Sequence, residues 1–270
     1  MHKESFTIYD RLINGIPAAA RIGQCVCGIH WIAIRSDAGV GLSMAPVEGE
    51  RRSDAAGTIA GRRLKEVAGW AKSWNALEAA IGVAAINSWY NAPSTLESAF
   101  GPIAALTSET SVFAEIGPVI EGKKVTVIGH FPDLDLIAPV CSLSILERRP
   151  EPGDFPDPAC EFILPHQDFV FMTGVTFINK TLPRLLELSR TARIVLVGPS
   201  VPLSPIFFDY GVDRLAGTVV MEEEAVFKHV MEGGDKSIFN SGAKRIRLDK
   251  SRCNQKNLTK GTSGERKEKP

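Results

Sequence analysis

The chain lacks any run approaching the roughly 18 uncharged apolar residues that a membrane-spanning helix requires. Its opening Met-His-Lys-Glu-Ser carries no apolar signal-peptide core, so a soluble, unexported, cytoplasmic protein is expected. Cysteines are few. The five, at positions 25, 27, 141, 160 and 253, form an odd and scattered set that makes no disulfide framework and fits a reducing compartment. Net charge is missing as well: 31 basic side chains balance 31 acidic ones, which argues against a general nucleic-acid binder. Absent too are a Gly-x-Ser-x-Gly elbow, a Walker loop and a His-Glu-x-x-His pair, which leaves the common hydrolase, NTPase and metalloprotease routes without support.

What is present is enough apolar material, 44% of 270 residues, to exclude disorder over the bulk of the chain and to build one large or two modest domains. The charge balance is uneven along the sequence. Residues 251–270 hold six basic and two acidic side chains, net +4, which leaves the preceding 250 residues at −4; that end reads as a solvated basic tail.

Near the N-terminus, Phe6, Ile8, Tyr9, Leu12 and Ile13 recur at helical spacing and stop at Asn14-Gly15-Ile16-Pro17. Apolar residues from 22 to 34 read as one strand, and the turn residues 35–39 return the chain through 40–44 as a hairpin. Residues 55–91 turn helical, most clearly over 73–89, so this first part is a small α+β unit. The Pro- and Gly-rich stretch 92–122 reads as a connector. From 123 the grammar changes: short, nearly continuous apolar runs at 124–129, 143–147, 169–174, 194–198 and 218–220 suit strands buried on both faces, with a leucine-rich helix over 179–190. The expected fold class is α/β, with a parallel sheet over 123–250.

Open parallel sheets bind ligands at the carboxyl ends of their strands, where strand order reverses. Those ends here are Gly129-His130-Phe131-Pro132, Glu147-Arg148-Arg149, Thr173-Gly174 and Gly198-Pro199-Ser200. Glycine lets a ligand approach the backbone, and Glu147 stands at the distance from Gly129 where an acid meets ribose-like hydroxyls. Pro132, however, removes an amide that a phosphate cradle would use, and Gly-x-Gly-x-x-Gly is not formed. His130 is either an acid/base group or a partly buried, hydrogen-bonded histidine. Asn75 and Glu78 either face a cleft or make a capping box at the start of the long helix. Asn87 sits deep in an apolar helix and needs a partner, which favours an interdomain or ligand contact. Asn179 or Thr181 can cap the leucine-rich helix, and Lys180 adds charge where an anion is attracted. Cys25 and Cys27 share a strand face and could offer two soft ligands to a metal, but no second pair completes a zinc set, so buried structural thiols are the better reading.

Several stretches together, 72–87 (KSWNALEAAIGVAAIN), 127–132 (VIGHFP), 143–147 (LSILE), 181–189 (TLPRLLELS) and 196–199 (LVGP), resemble a prokaryotic heavy-metal chelation family. The resemblance runs from residue 5 to about 249. It implies an enolase N-terminal-like α+β domain over 1–115, a Rossmann-like α/β domain over 116–250, and a tail at 251–270 outside the family. It also implies that Asn75, Glu78, Asn87, Gly129, His130, Glu147 and Gly198 border a cleft between the two domains, and that a metal ion or metal chelate is the associated cofactor or ligand. The resulting expectation is a binder of a small polar or anionic ligand or metal chelate, without nucleic-acid or membrane partners and compatible with a homodimer. The alternative is an enzyme using His130 and Glu147 as acid/base groups on a cofactor-like substrate.

Overall fold

The computed structural model describes residues 6–251; the expected tail, apart from its first residue, lies outside the described residues. The chain opens with α1 (Thr7–Asn14), whose Ile8, Tyr9, Leu12 and Ile13 all turn inward. Large apolar side chains fully buried in this way contribute roughly 1.5–3 kcal/mol each. Tyr9 stacks on Phe177 at 4.2 Å between ring centroids and donates its hydroxyl to the Phe177 carbonyl at 2.8 Å, fastening α1 to a helix 168 residues away. Burial pushes its phenol well above its ordinary range.

A three-stranded antiparallel sheet follows: β1 (Ile22–Cys27), β2 (Trp31–Ser36) and β3 (Val40–Met44). The expected single strand over 22–34 is in fact two, because the chain reverses at Gly28, whose amide bonds to the Trp31 carbonyl. A Cβ at Gly28 would fall 2.5 Å from the Val230 carbonyl oxygen. Next come α2 (Leu64–Ala68), the long α3 (Ala76–Tyr90) and α4 (Pro93–Phe100). Helix α3 is apolar on every side because it is buried on every side. Its seat on the small sheet requires Gly41, where a Cβ would lie 2.0 Å from the Ser88 nitrogen.

Residues 92–122 are more ordered than their Pro and Gly content suggests. Besides α4 they include β4 (Thr107–Ser108) and α5 (Val112–Ile120). Ser111 caps α5, and Val112, Phe113, Ile116 and Ile120 give it a buried stripe that outweighs Pro118 inside it. The remaining elements are β5 (Lys124–Ile128), β6 (Ser142–Glu147), β7 (Phe155–Pro156), α6 (Cys160–Ile163), β8 (Phe169–Thr173), α7 (Val175–Ile178), α8 (Leu182–Leu188), β9 (Arg193–Val197), β10 (Val212–Val220), α9 (Glu223–Met231) and β11 (Ala243–Asp249).

The large sheet runs β4-β11-β10-β9-β8-β5-β6-β7. All pairings from β10 to β7 are parallel, and β11 and β4 close one edge antiparallel. The chain leaves β5 for β6 on one side and later returns to β8 on the other, so strand order reverses between β5 and β8, as in a doubly wound sheet. The fold class expected from sequence is therefore the one found: mixed α/β, with a parallel-rich large sheet and a smaller antiparallel one. One continuous apolar cluster contains Ile32 and Ile34 of the small sheet, α3, and Val170, Met172 and Leu196 of the large sheet.

Candidate functional site

Two adjoining clefts open at the carboxyl ends of the large sheet's strands, with volumes near 370 and 480 Å³. Both fall within the usual range for small-molecule sites. Met44, His130 and Thr173 line both, forming a partition at the β5/β8 switch point. The first lobe lies between the large sheet and the end of β3, with Trp31, Phe113, Phe131 and Phe239 as aromatic walls and Lys236, Arg245 and Arg247 as cationic ones. The second lies under the loop that follows β3, among Glu147, Arg148, Lys180 and Trp74.

Of the residues singled out from sequence, Phe131, Gly174, Gly198, Pro199 and Ser200 line the first lobe, and Gly129, Glu147, Asn179, Lys180 and Thr181 line the second. His130 and Thr173 belong to both. Asn75, Glu78 and Asn87 line neither. Asn75 caps α3 by accepting from the Glu78 amide at 3.1 Å, and the Glu78 carboxylate accepts from Ser73 Oγ at 2.7 Å. Asn87 is wholly buried and donates from Nδ2 to the carbonyls of Leu42 (2.7 Å) and Pro199 (3.2 Å), tying α3 and β3 to the loop that floors the first lobe. Its Oδ1 has no hydrogen-bond partner among the described residues.

Gly129 ends β5 with φ +95°, a backbone conformation that a side chain would strain, and a Cβ there would sit 3.0 Å from Thr173 Cγ2. Gly198 ends β9 in the same way, with φ +109°. Both strand ends thus present bare backbone to the clefts. Glu147 takes up the amide of His130 at 3.2 Å and that of Arg148 at 2.7 Å, so its carboxylate organises the turn after β5. The imidazole of His130 meets a different acid: Nε2 lies 3.1–3.2 Å from both oxygens of Asp154, whose carboxyl side chain is nearly enclosed.

Lys180 has the only positive φ among the described non-glycine residues, +66°. Its ammonium donates to the carbonyls of Ser73 and Ile178 and lies over the Trp74 ring. Burial outweighs these contacts and lowers its pKa to about 8. Helix α8 starts later than expected, at Leu182, and Asn179 Oδ1 accepts from the amide and hydroxyl of Thr181 just before it. Ser200 Oγ accepts from the Met44 amide at 2.9 Å, a second stitch between the small sheet and the β9 loop.

Sequence reasoning passed over Met44, Asp154 and the arginines of β11. The alternation of Arg245 and Arg247 with buried Ile246 and Leu248 is a period-two signal that would have found that strand. Arg247 is occupied: it bonds the carbonyls of Thr110 and Ser111 and pairs with Glu115, holding the start of α5. Glu48 pairs with Arg148 and Arg149 across the mouth of the second lobe. Among the described residues no group of three or more His, Cys, Asp and Glu side chains could hold a metal ion, so the clefts supply no complete shell for a bare heavy metal. A metal entering with its own chelating ligands would need only a shaped and polar pocket.

Fold and cleft define an α/β protein whose doubly wound sheet carries a two-lobed cleft at its topological switch point. More particularly, the chain belongs to the DUF364 family: family models described as "Putative heavy-metal chelation" match residues 112–249 and, for the associated N-terminal part, 9–90. This bears out the resemblance read from the motifs. The chain is similar, at 40% identity over 92% of its length and all of the other chain, to a crystal structure of a DUF364 protein of unknown function from Desulfitobacterium hafniense, with a TM-score of 0.85. A second DUF364 crystal structure, of a protein of unknown function from Pyrococcus horikoshii, shares the fold (TM-score 0.73, 22% identity, 90% of this chain and 98% of that one). An uncharacterised protein of Methanocaldococcus jannaschii is 24% identical over 193 residues, 70% of this chain and 72% of that protein. Among the described residues no helix is long and apolar enough to cross a membrane.

Proposed function

We propose that the protein binds a small polar or anionic ligand, or a metal chelate, in the two-lobed cleft where the small sheet meets the carboxyl ends of β5, β8 and β9. The observation that carries this reading is the coincidence of both lobes with the reversal of strand order, where Gly129 and Gly198 bare the backbone. Aromatic walls interleaved with cationic groups, as where Arg245 stacks on Phe239, suit a ligand with a flat or apolar part and a negative part. A chelate is preferred to a free metal ion because the cleft offers no complete donor set among the described residues.

Thermal-shift and calorimetric screening of the reduced full chain tests this, with adenine nucleotides, phosphorylated cofactors, free metal ions and metal–citrate chelates as probes. A ligand at 100 times its Kd adds about 2.7 kcal/mol, a rise of roughly 5–10 °C. Gly129→Ala, which puts a methyl against Thr173, should weaken the response. A panel without any shift, together with metal-free purified protein by plasma mass spectrometry, would refute the reading.

A second reading, an acid/base enzyme, draws on the contact between His130 and Asp154. In that case Asp154, not Glu147, is the partner that orients the imidazole, because Glu147 is taken up by backbone amides. An activity that survives both His130→Ala and Asp154→Asn would exclude it.

A further inference from the structure

Cys25 and Cys27 lie outside both lobes. They sit on β1, the edge strand of the small sheet, two residues apart and on the same face. The expectation of buried structural thiols holds only in part: Cys25 is half-buried against the apolar core, and Cys27 is exposed. Both are free thiols. Cross-strand neighbours on that face are Ile34 and Ile32, both fully buried, so no hard oxygen or nitrogen ligand comes from the adjoining strand.

Two-residue spacing along a strand separates Cα atoms by about 6.6 Å. That is the stretched limit for a disulfide, whose Cα atoms usually stand 5.5–6 Å apart around an S–S bond of about 2.05 Å. Two metal–thiolate bonds of about 2.3 Å, set end to end, bridge sulfurs up to ~4.6 Å apart without drawing the strand together. A third His, Cys, Asp or Glu ligand is missing among the described residues, which disfavours the four-ligand shell of zinc and leaves a two-coordinate ion. We propose that Cys25 and Cys27 form a two-thiolate site for a soft monovalent cation of the Cu(I) or Ag(I) kind, at the outer edge of the small sheet. Binding forms two S–metal bonds, each thiol that is protonated releases its proton to solvent, and the occupied site carries one net negative charge. The site is independent of the cleft and of any ligand held there.

Anaerobic titration of the reduced full chain with Cu(I), against a chromogenic Cu(I) chelator, tests the assignment. Wild type should withdraw one equivalent from the competitor, with two sulfur scatterers around the metal by X-ray absorption. Cys25→Ser and Cys27→Ser should each lose that equivalent, and Cys141→Ser, Cys160→Ser and Cys253→Ser should keep it. Alkylation mapped by mass spectrometry on the wild-type chain decides the matter even if a serine variant fails to fold: Cu(I) should protect Cys25 and Cys27 and leave Cys141 and Cys160 as reactive as before. Protection elsewhere, undiminished binding in a Cys25→Ser/Cys27→Ser chain, or a metal shell of three or more protein ligands would overturn the proposal.

Discussion

Replacing Asn87 by alanine removes the buried amide that joins α3 to both β3 and the β9 loop. The loss has three parts. Two hydrogen bonds disappear, to the Leu42 and Pro199 carbonyls, each with a net worth of about 1 kcal/mol. The buried Leu42 carbonyl and the half-buried Pro199 carbonyl then each lose a donor, which adds about 1–3 kcal/mol in all. Against this, the Oδ1 atom is buried without a partner among the described residues, so deleting it returns about 1 kcal/mol. The sum is a destabilisation of about 2–4 kcal/mol, or a fall in Tm of roughly 5–12 °C. Asn87→Asp should be worse, since it keeps the volume but points a carboxylate at two carbonyl oxygens. Urea unfolding followed by the fluorescence of Trp31, Trp70, Trp74 and Trp89 measures both. Should Asn87→Ala unfold within about 0.5 kcal/mol of wild type, or Asn87→Asp prove the milder change, then the amide does not hold the sheets together as argued.

Two further expectations concern the second lobe. Lys180 is held below its ordinary value of 10.5, at about 8, by burial; between those values the unfolded chain keeps a proton that the folded protein has released. Stability contributed at this position therefore rises with pH across that window and is lowest below it; urea midpoints of wild type and Lys180→Met, taken from pH 7 to 10, should diverge in that direction, and parallel curves would contradict it. Glu48→Ala breaks exposed pairs with Arg148 and Arg149 that are worth about 0.2–1 kcal/mol each, so global unfolding should barely move while amide exchange over 45–49 accelerates. Unchanged exchange there would mean that the pairs do not fasten the loop.

The elements that could be read from sequence are those whose burial is extreme. β5, β6, β8 and β9 are short apolar runs because helices or loops cover both faces of the central sheet, and α1 showed its inward stripe at helical spacing. Elements at the margin were harder to see. β11 is half-charged, since Arg245 and Arg247 face a cleft and not a core. α5 hides behind Pro118, and the reversal at Gly28 is visible only once Val230 is known to press against it. For the candidate site, the glycines at strand ends stand at the sheet edge where both clefts open. Met44 and Asp154 had no local signal, because their roles come from the topology: β3 and the loop after β6 reach the switch point from segments well separated in sequence.

The polar residues that looked functional thus divide by what surrounds them. Asn87 and its neighbour one turn on, Asn91, both point from α3 into the β9–β10 region: Asn91 donates to the carbonyls of Val201 and Thr218 and accepts from the Leu203 amide. With Ser200 taking the Met44 amide, three side chains fix the distance between the small sheet and the floor of the first lobe. Each is buried, and each satisfies backbone groups that a loop crossing a core would otherwise leave unpaired. The width of the first lobe is consequently set by the same hydrogen bonds that hold the two sheets together. Under the proposed reading, a substitution at any of these three positions should shift folding stability and cleft affinity together, whereas a change at Lys236 or Phe239, which line the first lobe but make none of those bonds, should alter affinity alone.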